Sequence, residues 1–427
     1  MTASPNPAVT EYITRAQSQA RIVPDIPGHV PLIPIARVGI VGAGTMGGGI
    51  AMNFANAGIP VKLIETQAPA LERGLATVRR NYENSARKGR ITAEDVEARM
   101  SLLSGSLSLD ALGDCDLVIE AVYEDMAVKK QIFTRLDGIA KNGAILATNT
   151  SGLNIDEIAS VTRRPEAVIG LHFFSPANVM KLVEVVRADK TSQSVIATCM
   201  DLAHRLGKIA VLVGVCPGFV GNRMLYPRQV QAEQLLFEGA MPWDVDRALC
   251  EFGFPMGPFQ MADLAGLDIG WTRETSRGET LRDVLCEQGR LGQKTRAGFY
   301  DYDENRKHTP SPITEKAVRD FSSRQGKTRR VVSDSEILER CLYPLINEGA
   351  RVLEERKALR ASDIDVVWLY GYGWPKDRGG PMYYADSVGL EKITARLQDF
   401  ARSHGTAFEP ASLLATLASQ GRGFLSV

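Results

Sequence analysis

Short apolar runs alternate with helical periods through the first half of the chain. Val38–Val41, Val61–Glu65, Leu117–Val122 and Ala144–Ala147 read as buried strands of four to six residues. Amphipathic stretches separate them, notably 47–57 and a segment running from Tyr123-Glu124-Asp125 to Leu136. Strands that alternate with helices build a parallel sheet. A long polar helical region, from about Pro69 to Ala98, interrupts the series and carries Arg79, Arg80, Arg87, Lys88 and Arg90. Then the pattern changes. Residues 167–174 and 181–187 read as strands joined by only Ser175-Pro-Ala-Asn-Val-Met180, a connection short enough for an antiparallel pair. Val211-Leu-Val closes the strand series, and the remainder reads as helices.

That helical remainder repeats itself. Arg223-Met-Leu-Tyr-Pro227 matches Arg340-Cys-Leu-Tyr-Pro344, Val245-Asp246 matches Ile364-Asp365, and Gly253-Phe-Pro255 matches Gly373-Trp-Pro375. Gly257-Pro258 with Asp263 then matches Gly380-Pro381 with Asp386. A helical unit used twice predicts two small all-α domains. The expected order is an extended, proline-bearing segment over 1–36 with a helix at Thr10–Arg21, then an α/β nucleotide domain over 37–215. Helical domains over 216–325 and 326–427 follow, with a polar, weakly ordered linker from about Tyr302 to Arg330.

Composition narrows the classes. Lys plus Arg and Asp plus Glu both total 50, so no global field favours nucleic acid or an anionic membrane. No apolar run is long enough to span a bilayer. The six cysteines form no CxxC pair, which argues against a zinc site or disulfides and for a reducing compartment. No secretory or transit pattern opens the chain and Ser-Lys-Leu does not close it, so the expected location is cytoplasmic.

Candidate chemistry starts at the first strand, which feeds into Gly42-Ala-Gly44-Thr45-Met46-Gly47. A strand, Gly-x-Gly-x-x-Gly and a helix form the grammar of a dinucleotide site, with pyrophosphate on the helix N-terminus. Glu65 ends the second strand, 18 residues after Gly47, where a carboxylate accepts hydrogen bonds from the adenosine ribose. It would repel a 2′-phosphate, so the cofactor expected is NAD rather than NADP. Glu124, Asn149 and Ser151 fall just beyond later strands, where open parallel sheets bind ligands. If the short connection folds back about residue 178, His172 and Glu184 stand opposite each other, with Cβ atoms about 5 Å apart. Such a pair, set in apolar strands, is a proton-handling unit. Asn222 lies near a helix start, where its amide caps the helix or faces substrate.

These blocks, with Leu171-His172-Phe-Phe-Ser-Pro176, Lys181-Leu-Val-Glu184-Val, Pro217-Gly-Phe-Val-Gly-Asn222-Arg and Gly292-Gln-Lys294-Thr, resemble the L-3-hydroxyacyl-CoA dehydrogenase family from about residue 36 to the end. The duplicated helical part looks like the dehydrogenase half of multifunctional fatty-acid oxidation enzymes. Only 36 residues precede the nucleotide domain, which implies that hydratase activity is absent. The resemblance implies NAD-dependent interconversion of an L-3-hydroxyacyl-CoA and a 3-ketoacyl-CoA. His172 would move the proton and Glu184 would orient it, while Ser151 and Asn222 would hold substrate oxygens. Glu65, Glu124, Lys129, Asn149 and Lys294 match positions near NAD, and Ser175 stands where the family often has asparagine. The basic helical region becomes a candidate coenzyme A contact. Short family members pair through their helical domains, so the second copy implies a monomer. A dehydrogenase of a small hydroxy acid, or a non-enzymatic NAD-binding protein like some eye-lens crystallins, are the competing readings.

Overall fold

A computed structural model describes residues 6–426. One compact unit runs to Arg223 and takes in Val352–Tyr372; the other holds Met224–Arg351 and Gly373–Ser426.

The first unit is built on an eight-stranded sheet: β1 (Val38–Val41), β2 (Val61–Ile64), β3 (Leu103–Ser106), β4 (Leu117–Glu120), β5 (Ile145–Thr148), β6 (Val168–Phe173), β7 (Leu182–Arg187) and β8 (Ile209–Gly214). Their order in space is β3-β2-β1-β4-β5-β6-β7-β8. The first six run parallel, β7 turns back antiparallel to β6, and β8 follows β7 in parallel. Strands β1, β4, β5 and most of β6 and β7 are buried throughout, which is why they read as continuous apolar runs. Ile50 and Phe54, from the helix after β1, join Val38, Ile40, Ile119, Ala147 and Val185 in one core. The doubly wound, α/β architecture is the one expected.

Three local differences have physical causes. Strand β3 has the sequence Leu-Ser-Gly-Ser and lies at the sheet edge without a fully buried residue, so its apolar signal is weak. The polar helical region is two helices, Ala68–Arg87 and Ala93–Met100. Gly89 adopts positive φ between them, and Thr92 with Asp95 forms a capping box that restarts the helix. The stretch from Tyr302 to Arg330, expected as a weakly ordered linker, contains the helix Pro312–Arg324. Its Ala317, Val318 and Phe321 are buried, and the Ser322 hydroxyl donates to the Phe237 carbonyl at 2.6 Å.

The N-terminal helix spans Pro7–Ala20 and packs on the helix Ala361–Gly371. The Tyr12 hydroxyl meets Asp365, Gln17 meets Tyr370, and Arg360 donates to the carbonyls of Gln19 and Ile22. The same Ala361–Gly371 helix lies against β7 and β8. Lys357 and Ala358, just before it, touch the outer strand: the Gly214 N–H donates to the Lys357 carbonyl at 2.8 Å, and Val213 bridges Ala358.

Within the second unit the sequence repeat has matching geometry. The eight-residue helices Pro258–Ala265 and Pro381–Val388 each begin after a glycine and stop at a glycine with positive φ and ψ of 122°. Asp263 accepts the backbone N–H groups of Phe299 and Tyr300, at 2.8 and 3.0 Å. Asp386 does the same for Phe424 and Leu425, at 2.7 and 3.0 Å. Burial pushes both carboxyls upward, against those hydrogen bonds. Among the described residues no helix is long and apolar enough to cross a membrane.

Candidate active site

The strand order reverses at β1, which has β2 on one side and β4 on the other, and here the glycine loop sits. Gly42 has φ of 103°, and a Cβ on Gly47 would lie 1.9 Å from the Gly42 carbonyl oxygen, so helix and turn touch backbone to backbone. Gly44 is different: it has φ of −70°, is exposed, and a Cβ there would meet no protein atom within 4 Å. The protein's own packing does not require glycine at 44, so the open space there is available to a ligand approaching the loop. Gly44 caps the helix Thr45–Asn56 with no side-chain hydrogen bond, leaving first-turn N–H groups for an anion. Glu65 faces this loop, accepting the Ala43 N–H at 3.0 Å and its neighbour Thr66 N–H at 3.1 Å. Its carboxylate is thereby fixed beside the glycine loop.

The next two strands end in a polar layer. Glu120, fully buried, receives the Lys129 ammonium at 2.7 Å, the Thr148 hydroxyl at 2.7 Å and the Val122 N–H at 2.8 Å. Lys129 also reaches Glu124 at 3.3 Å. Glu124 takes the Thr150 hydroxyl and the Ser151 N–H, both at 2.7 Å, and the Ser151 hydroxyl at 3.0 Å. Partial burial pushes this carboxyl up, but the Thr150, Lys129 and Ser151 contacts outweigh that and hold it below its ordinary value. Lys129 is therefore a buried counter-charge under the site. Asn149 accepts the Phe173 N–H at 2.9 Å, which ties β5 to β6 at the level of His172.

The antiparallel pairing places His172 directly opposite Glu184. His172 Nδ1 lies 2.8 Å from one Glu184 oxygen, and the other accepts the Gly221 N–H at 2.9 Å. Glu184 is wholly buried and His172 is 6% exposed, packed by the rings of Phe174 and Phe219 at 4.5 and 5.7 Å. The turn between the two strands is anchored from beneath. Asn53 donates to the Ala177 carbonyl at 3.0 Å, and Lys208 donates to the Ala177 and Met180 carbonyls at 2.6 and 2.7 Å. Burial and the nearby Lys181 charge lower the Lys208 ammonium to about 8. Asn222 donates to the Ser151 carbonyl at 3.2 Å and accepts the Tyr372 hydroxyl at 2.7 Å.

Met46, Glu124, Asn149, Ser151, His172, Ser175 and Asn222 all line one cavity of about 360 Å³ with Val122, Phe173 and Phe174. Nine of the expected site residues thus gather around the switch point: these seven, with Glu184 and Lys129 directly behind them. Glu65 and the glycines form the adjoining cradle. Lys294 belongs to the second compact unit, where its ammonium pairs with Asp268. Sequence reasoning missed Glu120, whose signal was a charge ending an apolar strand, and Tyr372, which lies 150 residues from its partner.

A nucleotide cradle beside a buried imidazole–carboxylate pair defines the class, an NAD-binding α/β domain equipped to move a proton. Comparison with known proteins gives the family. Residues 37–216 match the 3-hydroxyacyl-CoA dehydrogenase NAD binding domain, and residues 218–302 and 337–423 each match the C-terminal domain of the same family. The chain belongs to the 3-hydroxyacyl-CoA dehydrogenase family. It is 46% identical over 416 residues to the peroxisomal bifunctional enzyme of Homo sapiens, covering 91% of this chain and 57% of that protein. It is 38% identical over 406 residues to the peroxisomal fatty acid beta-oxidation multifunctional protein of Arabidopsis thaliana, with 91% and 56% covered. The chain spans a little over half the length of these curated relatives. Among solved structures, the 3-hydroxybutyryl-CoA dehydrogenase of Escherichia coli is 28% identical with a TM-score of 0.77, over 91% of this chain and 99% of that one. The dehydrogenase part of multifunctional enzyme 1 from C. elegans is 31% identical with a TM-score of 0.68, over 96% and 99%.

Proposed function

We propose that this chain interconverts L-3-hydroxyacyl-CoA and 3-ketoacyl-CoA thioesters. The observation that carries the reading is the buried His172–Glu184 pair opening onto the cavity that Ser151 and Asn222 border. NAD, held at the glycine cradle, supplies the hydride acceptor for C3 of the substrate. With Nδ1 committed to Glu184, His172 meets the C3 hydroxyl through Nε2 and takes its proton. Glu184 fixes that tautomer and offsets the positive charge the ring then carries. Ser151 and Asn222 hold the hydroxyl and the thioester oxygen, and so orient C3.

The test is loss of NADH absorbance with acetoacetyl-CoA as acceptor. Turnover that disappears in His172→Ala supports the reading. No turnover, or turnover untouched by that substitution, overturns it. Free 3-hydroxy acids assayed alongside separate a thioester enzyme from a dehydrogenase of small hydroxy acids. NADH binding without activity on any thioester would revive the crystallin-like reading, against which the full Ser151, His172, Glu184 and Asn222 set stands.

Arg87, Lys88 and Arg90 stand exposed at the bend between the two helices of the basic region, which supports them as contacts for coenzyme A phosphates; Arg79 is paired with Glu97. The names of the relatives support a place in fatty-acid β-oxidation. They do not support the cytoplasmic expectation, because both relatives are named peroxisomal; fractionation of the source cells distinguishes the two. The doubled match to the C-terminal domain supports a monomer, and a dimer persisting on dilution in light scattering would count against it.

A further inference from the structure

An asparagine amide offers two ends of nearly equal shape, one donating and one accepting, and catalysis needs a particular end toward the substrate. At Asn222 two neighbours decide which. The Ser151 carbonyl, 3.2 Å from Nδ2, can only accept, so the NH2 group faces it. The Tyr372 hydroxyl, 2.7 Å from Oδ1, donates to the other end. One hydrogen of the NH2 group is used on Ser151, which leaves the second for the cavity that Asn222 lines. Burial, and then the charge of Glu184, push the Tyr372 phenol well above its ordinary value, so it remains a donor throughout the working range.

Tyr372 is itself tightly placed. Its ring stacks on Trp368 at 4.6 Å and meets Phe174 edge-on at 5.5 Å. Two glycines admit it. A Cβ on Gly221 would come 2.4 Å from the Tyr372 ring, and one on Gly371 would come 2.6 Å from Leu182. The internal repeat supplies an independent comparison. The residue before the glycine–aromatic–proline block is Phe252 in the first copy and Tyr372 in the second, preceded by Glu251 and Gly371 respectively. The hydroxyl, and the glycine that lets its helix approach β7, occur in the copy whose helix lies against the nucleotide-binding sheet.

We propose that Tyr372 is a positioning residue for the dehydrogenase reaction, locking the Asn222 carboxamide with its NH2 group toward the substrate oxygen. The inference rests on the thioester dehydrogenase reading. It gives the second helical copy a part in the chemistry, delivered from a helix that the N-terminal segment braces.

Tyr372→Phe removes only the hydroxyl. Its kcat on acetoacetyl-CoA should fall about tenfold, the worth of one lost hydrogen bond, with KM for NADH held and the melting temperature lowered by no more than about 4 °C. In an Asn222→Ala background the same substitution should cost nothing further, because the group it orients is gone. Incorporating 4-aminophenylalanine at 372 keeps the ring and a donor, and should keep kcat within about twofold of the unaltered protein. An active protein whose kcat ignores Tyr372→Phe, an equal loss in both backgrounds, or a tenfold loss with 4-aminophenylalanine overturns this inference alone. Absence of turnover in the unaltered protein overturns the dehydrogenase reading, and this inference with it.

Discussion

Glu184 accepts the backbone N–H of Gly221 on one carboxylate oxygen at 2.9 Å, so the group that holds His172 is itself held. A carboxylate anchored at both oxygens cannot swing away when the imidazole changes charge. Replacing His172 by Gln should lower kcat about 10²- to 10⁴-fold, the usual worth of a positioned acid–base group. Glu184→Gln removes the charge and leaves one acceptor oxygen for two donors, Nδ1–H and the Gly221 N–H, and should cost a smaller part of that. The double variant should be no slower than His172→Gln alone, since the two act as one unit. Steady-state kinetics on the three proteins decide it; additive losses would show that they act separately.

Gly44 and Gly47 should respond oppositely to alanine. At Gly44 the added methyl meets no protein atom, so the fold should keep its melting temperature. The affinity for NADH should fall about tenfold or more, as a charged hydrogen-bonded contact is displaced. At Gly47 the methyl would lie 1.9 Å from the Gly42 carbonyl, and about 1–3 kcal/mol of stability should be lost. Thermal unfolding and a fluorescence titration with NADH read the two effects. A destabilised Gly44→Ala with normal affinity would refute the assignment of that space to the cofactor.

Much of this site can be read from residue order, and the reason is geometric. A short connection, eight residues between Phe173 and Leu182, leaves little freedom of register, so the opposition of His172 and Glu184 follows from counting. The glycine loop announces itself because its contacts are local. Tyr372 gives no such signal, since what makes it relevant is packing against residues 150 positions away. Only its departure from Phe252 in the other copy marks it. Strand β3 gives little signal because it is short, polar and half in solvent, and the helix Pro312–Arg324 because its buried stripe, Thr314, Ala317, Val318, Phe321 and Ser322, holds only two large apolar side chains.

Lys208 supplies a pH signature. Its folded value is lowered to about 8, whereas an unfolded lysine holds its proton to about pH 10.4. Between these two values the unfolded chain binds more protons than the folded one, so this group's contribution to stability rises with pH. The urea midpoint of the unaltered protein, measured against Lys208→Met, should therefore shift in its favour from about pH 7.5 to 9.5. A constant gap, or a drift the other way, would show that burial does not disfavour the ammonium.

Asp263 and Asp386 each satisfy two successive backbone N–H groups at equivalent places in the repeat. Alanine at either position leaves those donors without their acceptor, and should cost about 1–3 kcal/mol in a denaturation experiment. Asp263 is 1% exposed and Asp386 is half-buried, so the loss at 263 should be the larger. Equal or negligible losses would show that water replaces the carboxylates without penalty.

The segment just before the Ala361–Gly371 helix has a protective consequence. Strand β8 forms one margin of the sheet, and a free margin invites pairing with the strands of other molecules. Lys357 and Ala358 occupy the end of that margin through the Gly214 and Val213 contacts. A chain ending before Val352 would bare that end of β8, at Val213 and Gly214, and would remove the helix that lies against the strand, leaving a nucleotide unit more prone to self-association. The second copy thus covers one end of the sheet's outer strand, which the first half of the chain leaves open.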